Sequence, residues 1–126
     1  MSDPVRPEPH PRPHAPALEN VFMELDLPAE IARLKNETIW SSGHNAKTLV
    51  KYDDLRLVLI VLHANARIRE HKSAGRISIH VVSGHIQVTA VGRTFRLRPG
   101  GLLTLDHDVP HDVEALDESA FLLTIA

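Results

Sequence analysis

The chain has nine histidines among 126 residues and no cysteine. Histidine is the side chain with the widest chemical reach near neutral pH. It binds metal through a neutral ring nitrogen, transfers protons as acid or base, and switches charge near pH 6.5. Without cysteine there are no disulfides, no thiolate nucleophile and no zinc-finger set. His10 and His14 fall in a proline-rich stretch and read as solvated. His44 and His85 stand beside glycines and read as loop or turn residues. Five remain to be placed: His63, His71, His80, His107 and His111. No serine sits in a nucleophile-elbow pattern, and no glycine-rich phosphate loop occurs.

Elements must position those five. Residues 1–17 carry Pro4, Pro7, Pro9, Pro11, Pro13 and Pro16. Proline removes donors and favours extended backbone, and this stretch has little to bury, so a disordered tail is expected. Residues 18–46 read as a short helix and a linker. Asp26 is a good N-cap, Pro28 falls in the first turn, and Leu27, Ile31 and Leu34 make an apolar stripe. Trp40 reads as a plug closing one end of the domain that follows.

Residues 47–126 read as that domain. From Thr48 the apolar period changes to two. Leu49 to Tyr52 is a short strand, and Asp53-Asp54 turns the chain. Leu55 to His63 is apolar on both faces, as suits a strand held between two layers or against a second copy. Ile77, Ile79 and Val81 alternate with Ser78 and His80. Ile86, Val88 and Ala90 follow, then Phe95 and Leu97, then Leu102 to Leu105, then Val113 and Ala115, then 121–126. Ser83-Gly84, Gly92 and Pro99-Gly100-Gly101 mark the turns. Short strands with frequent turns predict an all-β antiparallel barrel or sandwich with a short N-terminal helix.

Over residues 48–126 this pattern resembles the cupin family. That family has a first motif, G-x5-H-x-H-x3-E-x6-G, and a second, G-x5-P-x-G-x2-H-x3-N. Asn65 stands at the first glycine, His71 at the first histidine, Ser73 at the second, Ile77 at the glutamate, and Gly84 closes the motif. Gly100 opens the second motif, Asp106 replaces the proline, Asp108 the glycine, and Ala115 the asparagine. His111 falls on the histidine. The resemblance implies a single double-stranded β-helix, or jelly roll, with the site at its mouth. In the family the three histidines and the glutamate hold one divalent metal. Here His71 and His111 survive as ligand types, so any divalent metal is expected to be weakly bound. His71, His111, Ser73 and Ile77 are the expected ligand-binding positions.

Strand parity tests the other candidates. If Ile77 points inward, His80 points outward. His63 shares a face with Leu57, Leu59 and Val61 and sits either in the cavity or at a strand end. Asp106, His107 and Asp108 approach His111 from a loop. Arg67, Arg69, Lys72 and Arg76 surround His71 and read as solvated charges with Glu70 as a near partner.

Three readings fit: a small-molecule-binding barrel with His71 and His111 as its polar handles, a divalent-metal-dependent dioxygenase or isomerase, and a structural or regulatory dimerisation module. A metal-free acid–base enzyme, with His71 and His111 as a proton-transfer pair, is a further reading. Net charge is −2 with neutral histidines, which gives no bulk field for nucleic acid or anionic membrane. No signal-like or membrane-spanning run is present, so a cytoplasmic location is expected. The family resemblance, with the two-sided apolar strand, implies a homodimer.

Overall fold

A computed structural model describes residues 21–126. The expected tail over 1–17 lies outside these residues. The described chain begins with α1 (Leu27–Lys35), a 3-10 turn (Thr38–Ser42), and nine strands. The strands are β1 (His44–Tyr52), β2 (Leu55–Leu62), β3 (Arg67–His71), β4 (Ile77–Ser83), β5 (Ile86–Ala90), β6 (Arg93–Leu97), β7 (Leu102–Leu105), β8 (His111–Ala115) and β9 (Ser119–Ile125). They form two antiparallel sheets, β1-β2-β9-β4-β7 and β3-β8-β5-β6.

Alternation explains how the sheets meet. Ile77, Ile79 and Val81 of β4 face inward with Ile60 and Leu62 of β2 and Phe121 of β9. Ile86, Val88, Val113 and Ala115 oppose them from the second sheet. The result is an apolar core between two sheet faces, as alternating strands require.

The other face of β2 is equally apolar and has its own cover. Leu59 and Val61 join Leu34, Leu49 and Ala120 in a second cluster, with Leu27, Ile31 and Trp40 packed against it. Asp26 caps α1 by accepting from the Ala29 backbone N–H at 3.1 Å. Arg33 and Lys35 in the last turn suit its C-terminal dipole. Of the two arrangements the two-sided strand allowed, β2 thus takes the first: it lies between two layers, with the helix as the outer one. Trp40 belongs to this outer layer and does not plug an end of the barrel. Its ring needs an apolar wall, and the β2 outer face supplies one.

Two strands depart from the alternation. β1 starts at His44, five residues before the expected Leu49. Only Asn45 of its first four residues is buried. Its side-chain amide donates to the Leu34 carbonyl at 3.0 Å and to Glu37 Oε1 at 2.9 Å, replacing apolar packing. Strand β3 shows no apolar alternation, because Ile68 is its single core-facing side chain.

Candidate functional site

The expected histidine pair forms. His71 and His111 are register partners on β3 and β8. Their ring centroids lie 4.3 Å apart with planes tilted by 56°. Simple alternation from the inward Ile68 would send His71 outward. A bulge between Ile68 and His71 resets the parity and places His71 on the face of His111.

Each ring is oriented by its own strand. His71 Nδ1 donates to the Arg69 carbonyl at 3.1 Å, and His111 Nδ1 donates to the Val109 carbonyl at 2.9 Å. A carbonyl only accepts, so each Nδ1 carries the hydrogen. In the neutral ring the lone pair then resides on Nε2. The pair thus offers two acceptors to whatever enters.

The two rings differ in setting. His71 is exposed, whereas His111 is 3% exposed. Burial holds His111 below the ordinary histidine value, and repulsion from His71 adds to this. The Val109 carbonyl and Asp112 pull the other way. Beneath the rings lies a small pocket of about 50 Å³. Its walls are Ile60, Ile68, Ile79, Val113, Phe121 and Leu123.

Ser73 and Ile77 lie outside these walls. Ser73 follows β3, and its carbonyl accepts from the Asp108 backbone N–H at 2.8 Å, tying the two histidine loops together. Ile77 is a buried core residue. His80 is exposed on the outer face of its sheet. His63 Nε2 donates to the Trp40 carbonyl at 2.9 Å, in the outer layer and away from the cavity. Arg67 pairs with Asp112 at 2.6 Å, not with Glu70, because Asp112 lies on the neighbouring strand β8. Arg76 pairs with Asp106 at 2.9 Å, and His107 also meets that carboxylate.

The donor set decides what the pair can hold. A tightly bound divalent ion takes three or four protein ligands. Among the described residues, no three His, Cys, Asp or Glu side chains converge. Serine and isoleucine occupy the two remaining ligand positions of the motif. These residues do not fit a tightly held mononuclear metal.

No protein-family profile matches the chain, and no curated protein matches it in sequence. Solved structures do. A cupin superfamily protein from Desulfitobacterium hafniense is 13% identical with a TM-score of 0.63, covering 91% of this chain and 92% of that one. KdgF from Halomonas sp. is 26% identical with a TM-score of 0.61, over 67% of this chain and 79% of its own. A cupin 2 conserved barrel domain protein from Leptotrichia buccalis is 25% identical with a TM-score of 0.63, over 66% of this chain and 40% of that one. The fold of the chain is that of the cupin barrels.

Proposed function

We propose that this cupin-fold domain binds a small molecule at the barrel mouth, without a tightly held metal. One observation carries the reading. Two imidazoles, each fixed through Nδ1, present their Nε2 atoms above a pocket that is otherwise apolar. Apolar pockets with a few convergent polar groups are the usual form of a ligand site. The pocket is small, so the buried part of the ligand is no more than a few heavy atoms. A small acid or phenol has the right chemistry, since its hydroxyl proton can be shared with a neutral Nε2.

Protein purified without an affinity tag tests this. Isobutyric acid and phenol are titrated while the His71 and His111 ring signals are followed by NMR. Binding that weakens in His111→Leu, in protein with substoichiometric metal, supports the reading. Near-stoichiometric iron, manganese, nickel or zinc that is lost in His71→Ala and His111→Ala overturns it in favour of a metal-dependent enzyme. Homodimerisation, implied by the likeness to small cupin barrels, is tested separately by light scattering. A monomeric mass at working concentration overturns it.

A further inference from the structure

β6 is the last strand of the four-stranded sheet, and among the described residues no strand lies beyond it. Such an edge presents unpaired N–H and C=O groups. Register says which ones. β5 and β6 join through the two-residue turn Val91-Gly92, and Ala90 pairs with Arg93 across it. In a hairpin of this length that pair exchanges both of its backbone hydrogen bonds. Alternation then turns the backbone groups of Phe95 and Leu97 toward β5 and those of Thr94 and Arg96 toward the free edge.

The edge is also basic. No acidic residue occurs between Glu70 and Asp106. Arg93, Arg96 and Arg98 fall in that stretch and are exposed. None of them pairs with a carboxylate among the described residues. The Arg93 guanidinium lies over the Phe95 ring, 5.3 Å from its centroid. Arg96 Nε donates to Gln87 Oε1 at 3.0 Å, which keeps the Nη groups for a partner. The acids of this sheet face, Asp112 and Glu114, stand on β8, where Arg67 pairs with Asp112. The neutral Gln87 and Thr89 of β5 separate them from β6.

We propose that an extended acidic peptide adds to β6 as a fifth strand of this sheet. Backbone pairing supplies an attachment that any sequence can make, and the arginines select for charge. Arg96 and Arg98 are two residues apart, about 7 Å along an extended chain. Alternate side chains of an added strand have the same spacing, so Asp or Glu at every second position of it meets both. A second copy's β6 would set arginine against arginine, which opposes self-pairing. A single-stranded nucleic acid fits less well. It has no peptide backbone to pair with the edge. The outer face of β5 and β6 carries Gln87, Thr89, Thr94 and Arg96, with Phe95 on the core side, so no ring stands there for a base to stack on.

The test is an amide NMR titration of the full chain with a blocked pentapeptide that alternates glutamate with valine. The same peptide with lysine for glutamate is the charge control, and a thymidine oligonucleotide is the competing polyanion. The acidic peptide shifts the Thr94 and Arg96 amides saturably and slows their exchange with water, since both N–H groups become paired. Thr94→Pro removes one outward N–H and keeps the bonds to β5. It weakens binding about fivefold, the worth of one hydrogen bond. Arg96→Gln weakens it about threefold at low salt, as loss of an exposed ion pair does, and reads the same contact should the proline variant misfold. The proposal is overturned if the acidic peptide moves neither amide or leaves their exchange unchanged, if the lysine peptide or the oligonucleotide binds as tightly, or if the folded variants bind unchanged.

Discussion

Trp40 lies nearly flat on His63, with ring centroids 3.8 Å apart and planes 20° apart, while its carbonyl accepts from His63 Nε2. One side chain thus holds both the ring and the backbone of the 3-10 turn. His63→Ala removes a stacking partner and a hydrogen bond, and is expected to cost about 1–2 kcal/mol. Because Trp40 is the single tryptophan, its emission reports the change directly. It shifts to the red in the folded variant, and urea unfolding gives the loss of stability.

Leu34 anchors the same layer from the helix and is 1% exposed. Leu34→Ala empties the seat between α1 and the β2 face, with an expected cost of about 2–5 kcal/mol. The inner core is untouched. The variant therefore loses protection from hydrogen exchange first in α1, and later in β5 and β8.

His111 makes stability depend on pH. Its folded value is lowered from the ordinary 6.5, chiefly by burial. A histidine held neutral in the fold binds fewer protons there than in the unfolded chain. Stability is therefore full above about pH 6.5 and declines as pH falls through the lowered value. Urea midpoints taken down this range show the decline. In His111→Leu the slope over the same window is shallower.

The β5–β6 hairpin turns through Val91 and Gly92, at φ 52° and 70°. Two positive φ values in succession are the signature of a type I′ turn, which favours Asn-Gly. A β-branched residue in the left-handed region is strained, and Val91 is 78% exposed, so its side chain has little packing to lose. Val91→Asn is expected to stabilise by about 1 kcal/mol, read as a rise in melting temperature.

Gly84 gives the opposite result. It sits at φ 85°, and a Cβ there would stand 2.3 Å from the Glu118 carbonyl oxygen and 2.6 Å from Ser119 Cα. Neither backbone atom has room to yield. Gly84→Ala is expected to cost at least about 2 kcal/mol and to lower the melting temperature sharply.

The sequence made much of this legible, for identifiable reasons. Strands β4 and β5 bury alternate apolar residues, so their period was readable, and β2 was readable as a run apolar on both faces. So was α1, through Asp26 and Pro28. The histidine pair was readable by spacing, even where motif residues differ. Asn65 and Asp108 stand at two glycine positions of the cupin motifs and keep positive φ, at 71° and 58°, because Asn and Asp tolerate that region. What was not readable depends on partners distant in the chain. β3 has one inward apolar side chain and is defined by pairing with β8. Its bulge exists only against that neighbour. The free edge of β6 is likewise legible only once strand order is known.

The order of the strands bears on how the protein is made. β9 comes last in sequence among the described elements, yet it lies between β2 and β4 in the larger sheet. Until it leaves the ribosome, β2 and the β4–β7 pair have nothing to join them. Until β9 is made, the nascent chain thus carries apolar strands with unpaired edges. Folding of this domain awaits β9, and a chain cut before Ser119 would be substrate for chaperones and proteases.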